Sequence, residues 1–218
     1  MIQSSTTRFL SELKEHNHKE WMDEHRGDYE AAKRNFEDWV QAIIDGLAKF
    51  DPTVAHLSPK ECTFRINRDI RFSKDKSPYK TNFGAAFVAG GKKSPRAGYY
   101  FHLAPGASFA GGGMWMPEPS LLKKVRQEID YGFQEFGAIV NDKPFKQQYG
   151  TIGGEALVKA PQGYEPHNPA IEYLKMKSFT AIFPITDVQL KDPELLEKVL
   201  AAFKLLKPFN DFLNRAVE

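Results

Sequence analysis

The densest chemistry in the sequence lies between Glu61 and Lys80, which reads Glu-Cys-Thr-Phe-Arg-Ile-Asn-Arg-Asp-Ile-Arg-Phe-Ser-Lys-Asp-Lys-Ser-Pro-Tyr-Lys. Arg65, Arg68 and Arg71 offer forked, permanently charged donors that match phosphate or carboxylate oxygens. Lys74 and Lys80 add point charges, and Asn67 adds an amide that can fix a ligand's geometry. Together these six form a candidate anion-binding set. Asp69 stands among them as an orienter of the arginines or as a general base. Asp75, Lys76 and Tyr79 are expected to support the site from behind. Such a set suits binding of a phosphorylated or carboxylated small molecule, with anion-stabilised hydrolysis or group transfer as the natural chemistry if a reaction follows. The competing reading is an Arg–Asp network that only stitches a strand to its loop. Paired surface charges contribute little stability, so so dense a cluster favours the functional reading.

As an extended chain, the segment places Arg65, Asn67, Asp69 and Arg71 on one face and Phe64, Ile66, Ile70 and Phe72 on the other. The second face is expected to be core. Arg68 is out of register, which predicts a bulge or turn near Asn67 to Asp69 that brings it round to the polar set. Ser77-Pro78-Tyr79 reads as a turn leading into the next strand. His102 falls on the strand face opposite Tyr99, Phe101 and Leu103, beside Tyr100. If that strand neighbours the arginine segment, His102 becomes a candidate proton donor or acceptor. Trp115, in a Gly-rich stretch, is a candidate stacking surface, and Glu118 a candidate acid.

The elements that must position these residues follow from periodicity. A helix is expected over Thr6 to Glu15. Asn17 and Glu20 fit a capping box, opening one long amphipathic helix whose stripe runs from Trp21 through Phe36, Trp39 and Ile43 to Phe50 and stops at Asp51-Pro52. Strands are expected at Cys62–Ile66, Asn82–Val88, Gly98–Leu103 and Ala107–Gly111, separated by Gly/Pro/Lys turns. Leu122, Val125, Ile129, Phe133, Phe136 and Val140 form a second helical stripe after Pro119. A strand is expected at Phe179–Phe183. Asp192-Pro193-Glu194 then opens a last helix, bent or ended at Pro208. Helices, strands, then helices predict a single α+β domain over residues 1–218, with a central antiparallel meander packed by N-terminal and C-terminal helices.

Composition limits the partners. The 218 residues are 41% hydrophobic and 27% charged, which fits a globular protein and excludes wholesale disorder. No window of about 18 apolar residues suggests a membrane span, and no secretory leader is evident, so a cytoplasmic protein is expected. The one cysteine, Cys62, excludes an intramolecular disulfide and a thiolate metal cluster. Six scattered histidines lack the spacing of a zinc helix, and nothing implies a cofactor. His16-Asn17-His18 and Gly91-Lys92-Lys93-Ser94 are short matches without the nuclease or phosphate-loop context they would need. Net charge is +2, yet Arg65 to Arg96 holds nine basic and two acidic residues, +7 locally, which leaves −5 for the rest. Local positive potential attracts anions. It also keeps open a nucleic-acid-binding module, with Lys74, Lys76, Lys80, Lys92, Lys93 and Arg96 on the backbone and Tyr99, Phe101 or Trp115 stacking on bases.

The spacing Arg65-x-x-Arg68-Asp69-x-Arg71-Phe72-x-x-Asp75-Lys76-x-x-Tyr79 resembles the defining pattern of a family of bacterial and fungal proteins, domain of unknown function 2461. All eight fixed positions match. Trp21, Arg26-x-x-Tyr29, Gly98-Tyr-Tyr-Phe-His102 and Gly113-Met-Trp-Met-Pro117 resemble it too, so the likeness spans most of the chain. It implies that the family's identity sits in Arg65–Tyr79, and it names no substrate.

Overall fold

The computed structural model describes residues 1–218. Four strands, β1 (Phe83–Phe87), β2 (Gly98–Leu103), β3 (Ser108–Met114) and β4 (Phe179–Ile185), form an antiparallel sheet in sequential order. Short, turn-punctuated aromatic and β-branched segments build such a meander directly, because each hairpin pairs neighbours in the chain. β4 joins only after a long helical excursion, α5 (Pro119–Tyr131), α6 (Phe133–Asn141), α7 (Lys143–Tyr149) and α8 (Ile171–Leu174).

Alternation along the strands decides which face is covered. Ala85, Phe87, Tyr99, Phe101, Leu103, Ala110, Phe179 and Ala181 are all buried. They meet α9 (Leu195–Asn214) and α3 (Arg26–Leu47): Phe203 lies 5.2 Å from Tyr99 between ring centroids, and Trp39 lies 5.5 Å from Phe101. A cluster of 49 buried hydrophobic residues runs from Ile2 to Ala216 through this layer. The opposite face carries Tyr100, His102 and Phe109, all half-buried, and the exposed Ile182 and Pro184. The result is an α+β fold, a meander packed by N-terminal and C-terminal helices. No helix is long and apolar enough to cross a membrane.

Several elements differ from the sequence expectation. The first helix, α1 (Ser4–Glu15), is present, but the long second helix is divided into α2 (Lys19–Glu24) and α3. His18, not Asn17, caps α2, its Nδ1 accepting from the Trp21 amide at 3.4 Å. Asn17 is engaged elsewhere: its side chain donates to the Tyr79 carbonyl at 2.9 Å and accepts from the Tyr79 amide at 3.1 Å. At the junction the His25 ring stacks on Trp21 at 4.1 Å. α9 continues through Pro208 to Asn214. Phe209, Phe212 and Leu213, buried beyond the proline, hold the last turns against the core despite the missing hydrogen bond.

The expected strand over Cys62–Ile66 is not formed. Ser58 and Glu61 make a reciprocal capping box around Pro59, which winds Pro59–Cys62 into a helical turn, α4. Cys62 is fully buried there, and burial pushes its thiol up to about 12. Beyond it an isolated bridge joins Thr63 to Ala85 of β1, and a second, Asn67 with Tyr79, lies within the excursion itself. β3, by contrast, runs three residues past its expected end. Gly112 and Gly113 permit this, since a Cβ at Gly113 would sit 2.0 Å from the Phe179 carbonyl oxygen.

Candidate functional site

The segment from Thr63 to Asn82 is a long irregular excursion off the free edge of β1. The Phe64 amide donates to the Gly84 carbonyl at 3.0 Å. Two further backbone bonds, from Arg68 to Pro78 (2.9 Å) and from Lys80 to Ile66 (2.8 Å), close residues 69–77 into a loop. The turn expected near Asn67–Asp69 is the start of that loop. The expected apolar face is not assembled, because the chain stops alternating there. Ile66 is buried and Ile70 half-buried, but Phe64 is 39% exposed and Phe72 95% exposed.

Within the loop the charged side chains largely bond one another. Arg68 pairs with Asp75 and donates to the Ser77 carbonyl at 3.1 Å and the Ser73 hydroxyl at 3.4 Å. Asp75 also accepts from the Ser77 amide (2.9 Å) and hydroxyl (2.6 Å). These Ser77 donors, followed by Arg68, lower its carboxyl to about 2. Asp69 chelates Arg71, Nε at 2.9 Å and a terminal nitrogen at 2.6 Å, and that pairing holds its carboxyl below the ordinary range. A carboxyl stabilised as its anion is a weak proton acceptor, and this one is held against Arg71. Lys76 donates to the Ile70 carbonyl at 3.0 Å. Arg65, Asn67 and Lys74 are exposed, and Tyr79 is buried beneath the loop.

A second grouping forms where the excursion leaves the sheet. The Lys80 ammonium lies 5.6 Å from the centre of the Phe64 ring, and the Lys92 ammonium, from the β1–β2 hairpin, lies 5.9 Å from it. Both are positioned by backbone carbonyls. Lys80 donates to Arg65 at 3.0 Å, and Lys92 to Lys60 at 3.1 Å and to Thr63 at 2.6 Å. Burial, then the nearby positive charge of Arg65, lowers the Lys80 pKa. Three N–H donors of the two ammoniums remain beyond these bonds. Attraction of a cation to a ring face is worth roughly 0.5–1 kcal/mol at exposed sites, enough to bias the positions of both lysines.

The Phe64 ring faces Tyr100 at 6.3 Å, and Tyr100 faces Phe109 at 5.7 Å, so an aromatic row crosses the open face of the sheet. His102 belongs to this row. Its ring stacks on Phe109 at 4.8 Å and 11°, its Nδ1 lies 3.2 Å from the Tyr100 hydroxyl, and burial lowers its pKa. Gly84 makes room for Tyr100, since a Cβ there would lie 2.4 Å from the hydroxyl oxygen. β1 separates His102 from Phe64, and Tyr100 bridges the gap.

Other candidates lie apart. Tyr99 and Phe101 are buried against the helices, which removes them as stacking surfaces for a nucleic acid. Trp115 is exposed, beyond the end of β3, and Glu118 is exposed at the start of α5. Arg96 lies across the sheet beside Tyr99 and Asn210. No three His, Cys, Asp or Glu side chains converge as a metal-binding set. Sequence reasoning had not singled out Phe64, Tyr100 or the pairing of Lys92 with Lys80. Only Tyr100 carried a signal, as the residue sharing a strand face with His102.

This architecture defines an α+β protein whose Arg-rich signature folds into a self-bonded loop at the sheet edge. Residues 5–212 match a family described as conserved hypothetical protein (DUF2461), and the chain belongs to that family. No curated protein and no solved structure matches it.

Proposed function

We propose that the chain binds an anionic small molecule on the open face of its sheet, at the corner built by Phe64, Lys80, Lys92 and Tyr100. One observation carries this reading: two ammonium groups from separate segments flank one part-exposed ring, and their hydrogen bonds go only to backbone carbonyls. The phosphate or carboxylate meets Lys80 and Lys92, with Arg65 alongside. A planar portion of the ligand lies along Phe64 and Tyr100. If a reaction follows, the Tyr100–His102 pair supplies its proton acceptor, since burial keeps His102 in its neutral form. Arg68, Arg71, Asp69 and Asp75 shape the adjoining loop.

Calorimetric titration with 4-nitrophenyl phosphate and with inorganic phosphate tests this. Wild type is expected to bind the aryl phosphate more tightly, and the Lys80→Met/Lys92→Met variant to lose about tenfold or more of that affinity. Equal binding by variant and wild type would overturn the assignment. The aromatic row also favours a second reading, single-stranded nucleic acid stacked across the sheet. That reading requires oligonucleotide affinity to fall steeply with salt.

A further inference from the structure

On the helix-packed side of the sheet, a cavity of about 260 Å³ opens between the Asp51–Val54 turn, the β1–β2 hairpin and the last turns of α9. Its wall holds three polar features that the fold leaves in unequal states. Asp51 is only 6% exposed, and its carboxyl accepts from the Tyr99 hydroxyl at 2.8 Å and the Thr53 hydroxyl at 2.6 Å. The oxygen facing Tyr99 takes that one bond, so it keeps a free lone pair. Asn210 is 3% exposed, and neither its Nδ2 nor its Oδ1 has a partner in hydrogen-bond geometry, although the side chain lies close enough to the Tyr99 hydroxyl to favour its ionised form. Arg96 is a third feature, its nearest carboxylate being Glu218 at 3.7 Å.

Of the other charged groups lining the space, Glu218 faces Arg96, and two are engaged outside it. Arg215 pairs with Glu135 and Glu128, and Asp211 takes the Lys207 ammonium at 2.8 Å. A buried amide with neither its donor nor its acceptor used is costly, and native interiors rarely keep one without a guest or an ordered water. The volume lies below the roughly 300–1,000 Å³ of sites for drug-sized ligands, so the guest is small. Its chemistry follows from the wall: an anionic end for the Arg96 fork, and a cationic donor end for Asn210 Oδ1 and the open lone pair of Asp51. A simple carboxylate leaves the acidic end unmatched, and a simple amine leaves the Arg96 fork with Glu218 alone, at 3.7 Å and beyond hydrogen-bond distance.

We propose that this cavity is a binding site for a small zwitterion, an α-amino acid with a short side chain, held at its carboxylate by Arg96 and at its ammonium by Asn210 and Asp51. The site is separate from the Phe64 corner and does not depend on it. Calorimetric titration of the full chain with glycine, alanine and serine, against acetate and methylamine, tests it. At least one amino acid is expected to bind with a dissociation constant below about 10 mM, while the two single-charge probes bind at least about tenfold more weakly. Arg96→Gln, a half-buried position where refolding is not at stake, is expected to lower amino-acid affinity by about tenfold or more. Asn210→Leu is expected to abolish binding, and the arginine variant decides the matter if this one fails to fold. The Lys80→Met/Lys92→Met variant is expected to bind amino acids as wild type does. No binding by any amino acid would assign the amide to an ordered water and overturn the proposal. Acetate binding equal to glycine, or Arg96→Gln equal to wild type, would also overturn it.

Discussion

Asp75 shows how one side chain holds a loop in place. It accepts the Ser77 amide and hydroxyl and pairs with Arg68, and these contacts hold its carboxyl at about 2. A carboxyl lowered on folding contributes stability that is present above its unfolded pKa, near 3.9, and lost as pH falls towards 2. The Asp75 carboxyl carbon, followed by NMR, is expected to titrate with a midpoint near 2. Ser77→Ala, which removes the hydroxyl and leaves the amide, is expected to raise that midpoint, because the hydroxyl is the largest single cause. An unchanged midpoint would mean that the amide and Arg68 hold the carboxylate without it. The variant is not expected to disturb the amide pattern of the sheet. Arg68 was legible as a misfit in the alternating segment, and its contacts explain why: its guanidinium turns into the loop rather than towards a shared polar face.

Among the elements, β1 and β2 are matched through a missing side chain. Gly84 lies opposite His102 in the ladder, and the hydroxyl of Tyr100 occupies the space its Cβ would fill. Gly84→Ala is therefore expected to displace that hydroxyl, break its contact with His102 and lower stability by about 1–3 kcal/mol, as overpacking does. The chemical shift of His102 and a denaturant melt check both parts. Unchanged shifts would mean that Tyr100 has another rotamer at no cost. β1, β2, β4 and the final helix were legible because their apolar periods are regular and their turns carry Gly or Pro. Cys62–Ile66 was not, because Ser58, Pro59 and Glu61 start a helix just before it. Local capping outweighed the β-favouring composition that followed. Lys92 was illegible for another reason: nothing in a Gly-Gly-Lys-Lys turn indicates that one ammonium reaches back to Lys60 and Thr63.

Across the whole molecule, the basic stretch does not make one surface. Lys80 and Lys92 gather at Phe64, Arg68 turns into its loop, Arg71 stays exposed beside Asp69, and Arg96 lies on the far side of the sheet. A sum of charge along the sequence cannot show that division, because these residues sit on an irregular loop and a hairpin turn, whose course is set by contacts distant in the chain. The fully buried Cys62 adds a practical consequence. It sits two residues before Phe64, in the chain between Lys60 and Thr63, whose carbonyls hold Lys92, and its thiol is far from ionised at neutral pH. Iodoacetamide can therefore reach it only when the Pro59–Phe64 corner opens, which makes the chain's one sulfhydryl a built-in clock for that event. Occupying the corner with 4-nitrophenyl phosphate is expected to slow alkylation in proportion to the fraction bound, while an amino acid in the Asn210 cavity leaves it nearly unchanged. Labelling as fast as a free peptide thiol would mean that the corner stands open in solution.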